Sequence, residues 1–275
     1  MSRWTIKLSA AALTAAALTG FAAPALAGVG DLLVAPTRLV LDGRKGTELV
    51  LNNVGDEPAT YRISVEFRRM TRDGGLDQVT EPDAQEKAAA DMIVYAPRRV
   101  TLAPHQPQSI RINARPRQGL ADGEYRVHLL FRAVPPPTPV AAASSEPVKG
   151  LHLRLIPIYG VTIPVIVRLG NLEATAGIAN VKLEKKDGKD TVGLDLSRSG
   201  TRSTFGEVRV FKPGVKDPVA IQRNVAVYTE INARHVSIPV DEKFKGELSG
   251  PVTVQYVETY DDGAQKLAET QAVLR

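Results

Sequence analysis

The chain has 275 residues, of which 35 are basic and 30 acidic, for a formal net charge of +5, and it contains no cysteine. The basic residues are scattered among acidic ones and are not interleaved with aromatic residues, so the composition excludes the usual kind of nucleic-acid-binding surface. Without cysteine no disulfide can constrain the unfolded chain, and burial of apolar side chains must hold each domain together.

The N-terminus has the order of a secretory signal peptide. Arg3 and Lys7 precede an apolar stretch over 8–23, and small residues follow it as far as Ala27. The stretch is short and rich in alanine, which favours cleavage after Ala27 over a retained membrane anchor. We therefore predict a signal peptide over 1–27, export without membrane insertion, and a mature chain of about 248 residues, enough for two domains.

Alternation of apolar and polar residues dominates the mature chain. Residues 61–67 are typical, because one face is apolar and the other polar, as in a half-buried strand. Many short strands separated by turn signals such as Asp73-Gly74 and Asp187-Gly188 predict antiparallel sandwiches. The other predicted strands are 32–41, 47–52, 92–95, 108–114, 124–132, 178–185, 191–197, 206–211, 224–231, 235–239, 251–260 and 265–273.

Three segments depart from this pattern. Pro82 to Asp91 is the one helical candidate, and we predict it to connect strands rather than to contribute to a core. Residues 133–150 are rich in proline and alanine, which predicts an exposed loop between two strands of the first domain. A change of strand pattern near Leu169-Gly170-Asn171 predicts the boundary between the two domains.

Residues 151–168 form the longest β-branched, apolar run, which predicts a strand that can pair with another protein as well as with its own sheet. Pro157 and Pro164 each remove a ladder donor, and their opposite parity makes the lost N–H groups point to opposite sides. Continuous pairing with a guest is therefore expected over 150–156 or 158–163 rather than over the whole strand.

Several short segments, spread over most of the mature chain, carry a family resemblance through their order and spacing. They are Pro36-Thr37-Arg38 through Asp42-Gly43, Asn52-Asn53, Tyr95-Ala96-Pro97, Val100 through Pro104, Gln108 through Ile112, Gly123 through Arg126, Phe131 through Pro136, Ile163 through Arg168, and Ser199 through Arg202. Together they resemble the periplasmic chaperones of the chaperone–usher pathway of pilus assembly.

The resemblance implies an all-β fold with two immunoglobulin-like β-sandwich domains, over 28–169 and 170–275, in an angled, boomerang-like arrangement. It implies a periplasmic chaperone, not an enzyme, that binds and stabilises pilus or fimbrial subunits and delivers them to an outer-membrane usher. In this family the chaperone lays its own strand into the open groove of an incomplete subunit, which is β-augmentation. The hazard of an apolar edge also predicts self-association of the unloaded protein.

The resemblance implies a face for the donor strand 151–168. Matching Arg168 to the family's arginine at the strand end puts the odd-numbered side chains toward the subunit. The alternative is that the odd set faces this protein's own core, with Ile156, Ile158 and Ile166 facing outward or packing under the second domain, because a shift of one residue exchanges the faces. The predicted donor residues are Leu153, Leu155, Tyr159, Val161 and Ile163.

Arg38 matches the family's arginine in the cleft between the domains, which the resemblance implies grips the subunit's C-terminal carboxylate. An exposed arginine at a strand end is the alternative. The family's lysine on the donor strand is missing, since Thr162 or Pro164 stands there. Arg111 and Arg126 are the candidates to replace it.

Glu124, Arg168 and Asp261 match positions of a family ion-pair network that links the domains and sets their angle more than their stability. Separate surface charges are the alternative.

Catalytic chemistry finds little support in the sequence. His105, His128, His152 and His235 offer few candidate bases and no catalytic spacing. His128 and His152 are potential cross-strand neighbours, but no third metal ligand is evident, and we interpret the histidines as surface residues. We therefore predict no catalytic residue, metal site, cofactor or nucleic-acid partner. The rival class is an exported two-domain β-sandwich that acts as a structural or adhesion protein.

Overall fold

The structure is a computed structural model that describes residues 32–135, 158–260 and 263–275. The predicted signal peptide, most of the predicted loop 133–150 and the first part of the predicted donor strand lie outside these residues. Within the described ranges, no helix is both long and apolar enough to cross a membrane.

Two sheets make up the first sandwich, one with the strand order β1-β3-β9-β7 and the other with the order β2-β11-β10-β4-β8. Its elements, with a separate hairpin of β5 and β6, are β1 (Leu32–Ala35), β2 (Leu39–Leu41), β3 (Thr47–Asn53), β4 (Ala59–Glu66), β5 (Arg68–Met70), β6 (Leu76–Gln78), α1 (Ala84–Met92), β7 (Ile93–Ala96), β8 (Arg99–Leu102), β9 (Pro107–Ala114), β10 (Gly123–Val134) and β11 (Gly160–Leu169).

Alternation along the strands builds the core between these sheets. In β4, Tyr61 and Ile63 are buried while Arg62 between them is exposed. In β10, Leu129 and Phe131 are fully buried in the same core. One face of each strand therefore packs inward, as the sequence predicted.

Helix α1 corrects one prediction, since it contributes to the core. It begins with a capping box, in which the Asp83 side chain accepts from the Glu86 N–H and the Glu86 carboxylate accepts from the Asp83 N–H. Ala89 and Met92 are each 1% exposed and belong to the first apolar cluster. The expectation of a connection that contributes nothing to the core is wrong, because these two residues share one helical face.

The second sandwich packs a three-stranded sheet, β12-β13-β16, on a four-stranded sheet, β15-β14-β17-β18, in an immunoglobulin-like arrangement. Its own core includes Val192, Leu194, Val208 and Tyr256. The predicted all-β fold with two sandwiches is confirmed. The strands are β12 (Ala174–Lys186), β13 (Lys189–Gly200), β14 (Thr204–Phe211), β15 (Ala220–Val227), β16 (Ala233–Pro239), β17 (Gly250–Tyr260) and β18 (Gly263–Leu274).

A third, small apolar cluster joins the two sandwiches. It contains Met70 from the β5–β6 hairpin, Ile166 from β11, and Ala226 and Tyr228 from the second sandwich. The hairpin also accepts a backbone hydrogen bond from the second sandwich, since the His235 N–H donates to the Arg72 carbonyl at 2.7 Å. The outer face of the five-stranded sheet is thus partly covered by the second sandwich.

Candidate functional site

Strand β11 has an edge that is only partly covered. On one side β10 pairs with it along its whole length, from Gly160 to Leu169. On the other side β2 runs parallel to it and pairs only with 165–167. Over 160–164, no strand of the described residues pairs with β11 on that side. We call this stretch the open edge.

The hydrogen-bonding pattern shows which peptide groups the open edge presents. The Ala133 N–H donates to the Tyr159 carbonyl at 2.9 Å, and the register from there along β10 is unbroken. Odd-numbered residues of β11 therefore bond to β10, and even-numbered ones point away from it. Gly160 and Thr162 present an N–H and a carbonyl to the open side, while Pro164 presents only its carbonyl and so removes no bond to β10.

The odd-numbered side chains of β11 face this protein's own core, which is the alternative orientation considered from the sequence. Ile163 is 1% exposed and lies in this protein's own core, and Val161 packs against the same core. The expected orientation toward a subunit is therefore wrong for Val161 and Ile163, because the register with β10 turns the odd-numbered residues inward. Tyr159 precedes β11 and is 56% exposed. Leu153 and Leu155 lie outside the described residues.

The even-numbered face of β11 meets polar and apolar partners in turn. The Thr162 hydroxyl donates to Glu66 at 2.8 Å, and Glu66 in turn pairs with Arg68 at 2.6 Å. Ile166 is fully buried in the cluster between the sandwiches. This cover explains why position 166 is apolar, although Thr162 and Arg168 on the same face are polar.

His128 of β10 is directly opposite Pro164 of β11, and its surroundings correct a further prediction. It is 1% exposed, and neither ring nitrogen has a hydrogen-bond partner, so it is not a surface histidine. Burial, with a smaller contribution from the charges of Arg126 and Arg68, lowers the pKa of His128 to about 3. The imidazole is therefore neutral at physiological pH. His152 lies outside the described residues.

Arg38 lies where the two sandwiches meet, directly before β2. Its guanidinium carbon is 4.5 Å from the ring centre of Phe205 and 5.9 Å from that of Tyr228, both in the second sandwich. Burial lowers the pKa of Arg38, but an arginine guanidinium keeps its charge in proteins. The residue is half-buried, and its Nη1 is buried without a hydrogen-bond partner. A cation with an unused donor thus stands at the end of the open edge.

Glu124 and Arg168 form an ion pair within the first sandwich, and both also form hydrogen bonds with Ser203 of the second. Arg168 Nε donates to Glu124 Oε2 at 3.0 Å, and the same oxygen accepts from the Ser203 N–H at 3.0 Å. Arg168 Nη2 also donates to the Ser203 carbonyl at 3.1 Å. The contact between the sandwiches therefore runs through a backbone group at Ser203, which alternation alone could not identify. Asp261 lies outside the described residues.

No pattern in the sequence predicted a second polar contact between the sandwiches. Arg126 Nη2 donates to Glu230 Oε1 at 2.5 Å, and its guanidinium carbon is 3.7 Å from the Tyr228 ring centre. Glu230 also accepts from the Met70 N–H at 2.7 Å. Asp73-Gly74 predicts a turn, but neither β5 nor β6 was among the predicted strands, and the contact of this hairpin with the second sandwich was not predicted either. Arg111 pairs instead with Glu48 in the other sheet of the first sandwich.

The fold is similar to those of solved chaperone structures. The CupB2 chaperone of Pseudomonas aeruginosa is 13% identical, with a TM-score of 0.46 over 88% of this chain and 100% of that one. The E. coli chaperone DraB is 15% identical, with a TM-score of 0.45 over 90% and 99%. The SafB chaperone with the SafA pilin, from Salmonella enterica, gives 16% identity and a TM-score of 0.44 over 89% and 97%. No protein-family model and no curated protein matches the sequence.

Proposed function

We propose that this chain is a periplasmic chaperone that binds pilus or fimbrial subunits by adding their strand to its open edge, and delivers them to an outer-membrane usher. The observation that carries the proposal is the open edge at 160–164, which ends beside Arg38. The predicted signal peptide over 1–27 supports the location, and the sequence resemblance supports the partners.

Unpaired peptide groups on a strand edge are a template for another strand. Natural proteins usually cover such an edge or place charges along it, whereas residues 160–164 read Gly-Val-Thr-Ile-Pro and carry no charge. Ile158 and Tyr159, just before this stretch, are 46% and 56% exposed. A guest strand would gain both backbone hydrogen bonds and apolar contact here.

The direction of the guest follows from the position of Arg38. Because β2 is parallel to β11 and pairs only from Val165 onward, Arg38 stands at the level where the open edge ends. A guest strand parallel to β11 therefore ends with its C-terminal carboxylate at Arg38, whereas an antiparallel strand would bring its N-terminus there. The positive charge of Arg38 favours the carboxylate, since it attracts that group and repels the ammonium of an N-terminus.

The anchor proposed here relies on one cation. Thr162 and Pro164 are the two candidates for the position of the family's lysine; Pro164 has no charge to offer, and Thr162 uses its hydroxyl to bind Glu66. Arg126 already pairs with Glu230, and Arg111 lies in the other sheet with Glu48. Backbone pairing along the open edge must then contribute more of the affinity than in relatives with two basic residues.

Co-expression with exported subunits encoded beside this gene tests the proposal. Thr162→Pro removes an N–H that β10 does not use, so we expect the fold to persist and the complex to weaken at least about tenfold. Thr162→Val, which loses only the hydroxyl, is the matched control and should keep the complex. Size-exclusion chromatography of the purified mixture measures both.

Arg38→Ala should weaken the same complex by about 10- to 100-fold, the range for a hydrogen bond to a charged group, while Arg44→Ala, an exposed arginine of the same domain, should not. Equal binding by Thr162→Pro and Thr162→Val would rule out edge pairing. Self-association with no subunit complex would instead support a structural or adhesion protein.

A further inference from the structure

Three arginines form a row across the outer face of the five-stranded sheet. Arg132 of β10 is directly opposite Arg62 of β4, and Arg62 is directly opposite Arg99 of β8. All three are exposed, and the residues beside them in each strand face the core. Residues paired across an antiparallel sheet share a face, so the three guanidinium groups emerge side by side. We call Arg132, Arg62 and Arg99 the arginine row.

The arginine row has no anionic partner within the described residues. No ion pair or hydrogen bond involves any of the three side chains there. Like charges directly opposite each other on neighbouring strands are destabilising, so the fold itself gains nothing from this arrangement. The positions before and after the row on the same face are uncharged, namely Val134, Thr60, Thr101, Thr162, Leu130 and Ser64.

The arginine row is continuous with the open edge. Arg132 is directly opposite Gly160, the first residue of that edge. Gly160 adds no side chain on this face, where the nearest neighbour of the position that its Cβ would take is Leu130 Cδ1, at 3.0 Å. Neighbouring strands are about 4.8 Å apart, so a guest strand would lie about 10 Å from β10, a span that an arginine and a glutamate can bridge together.

We propose that the arginine row binds carboxylate side chains of the guest subunit, on the part of the guest that lies beside Gly160. The proposal rests on the proposed function, because it takes the guest strand to occupy the open edge. It adds a preference for acidic guests to a backbone ladder that carries no sequence preference of its own. Arg132, next to Gly160, makes the closest contact, and Arg62 and Arg99 extend the positive field.

Two short synthetic peptides test this preference. Both have alternating valines and a free C-terminal carboxylate, and they differ only in having glutamate or glutamine at the polar positions. We expect the glutamate peptide to bind the full mature protein about tenfold more tightly at low salt, and the difference to shrink as salt rises from about 0.05 to 0.5 M. Fluorescence anisotropy of the labelled peptides measures the affinities.

Arg132→Glu should remove or reverse the preference, while Arg44→Glu, with the same change of charge away from the row, should keep it. Equal binding of the two peptides to the wild-type protein, with Arg38→Ala weakening both, would overturn the role of the arginine row and leave the proposed function standing. Binding of neither peptide would count against the open edge, and so against the proposed function itself.

Anionic lipid is the other chemistry that a row of arginines could recognise. Co-sedimentation with phosphatidylglycerol vesicles distinguishes it from a protein guest. Vesicle binding that is lost in Arg132→Glu, together with equal affinity for the two peptides, would assign the row to a membrane surface and overturn the proposal. No vesicle binding, with a preference for the glutamate peptide, supports it.

Discussion

At the scale of single residues, the contact between the sandwiches is notable for polar groups that are removed from water with incomplete pairing. His128 has no partner at either ring nitrogen, and Arg38 has one unused donor. The two residues differ in what this implies. His128 is fully enclosed and stays neutral, so it avoids the cost of a buried charge, whereas Arg38 keeps its charge and is only half-buried, so that its charge can still act on a ligand nearby.

The pKa of His128 predicts a loss of stability in acid. Its value of about 3 in the folded protein lies below the value of 6.5 in the unfolded chain, so the unfolded state binds the proton first. This stability is fully present above about pH 6.5 and is lost as the pH falls toward 3, with about 2 kcal/mol lost between pH 7 and 5. Urea unfolding at the two pH values measures it.

His128→Leu provides the control, because it should remove the pH dependence due to His128 and leave the contributions of other groups in place.

His235 is one of these other groups. Burial lowers the pKa of His235, but its hydrogen bonds to Asp195 and Glu184 prevail and raise it overall. Its effect on stability therefore has the opposite sign, with stability present below about pH 6.5 and lost as the pH rises. If the free energy of unfolding changed equally between pH 7 and pH 5 in the wild type and in His128→Leu, His128 would not be neutral in the fold.

At the scale of elements, strand β11 shows what the sequence could and could not predict. The alternation in 61–67 and 124–132 predicted β4 and β10 with their inward faces, because one side of each pattern is polar. In β11 the even-numbered Ile166 is as buried as its odd-numbered neighbours. The even-numbered set combines the apolar Ile166 with the polar Thr162 and Arg168, and the second sandwich that covers Ile166 is distant in sequence, so alternation alone could not show which face meets this protein's own core.

The arginine row gives a prediction for the sheet. Arg62 stands between Arg132 and Arg99, so Arg62→Glu converts two like-charge pairs into two attractive ones. We expect the free energy of unfolding to rise by about 0.5–1 kcal/mol at low salt, and the gain to fade at high salt. Urea denaturation measures it, and Arg44→Glu should give no comparable gain. A loss of stability in Arg62→Glu would mean that the row has an acidic neighbour.

At the scale of the whole molecule, the two sandwiches are joined by side chains that converge from distant parts of the chain. Met70 and Ile166 from the first meet Tyr228 from the second in an apolar cluster, and two acidic residues, Glu124 and Glu230, bond across the contact. The sequence resemblance predicted Glu124 but could not predict Glu230, which contacts a hairpin. Association of the sandwiches therefore depends on the hairpin as well as on the connection after Leu169.

Glu230→Ala should loosen this association. It leaves Arg126 half-buried without its carboxylate and removes the acceptor of the Met70 N–H, so we expect the free energy of unfolding to fall by about 2–3 kcal/mol. Hydrogen exchange of the Met70 amide should also become faster. Glu269→Ala, which breaks an exposed pair with Lys266, is the control and should cost less than about 1 kcal/mol. Unchanged exchange at Met70 would contradict the role given to Glu230.

The part of the open edge that the structure describes has a consequence for how long a guest would stay bound. Between Gly160 and Pro164 only two N–H groups face outward, because every second residue turns to β10 and Pro164 has none. Over this stretch a guest strand would form few backbone hydrogen bonds, so its contacts with Arg38 and with Ile158 and Tyr159 would also affect the lifetime of the complex. A competitor able to offer the guest a longer, uninterrupted strand would displace this protein spontaneously, and handover would then need no nucleotide or other source of chemical energy.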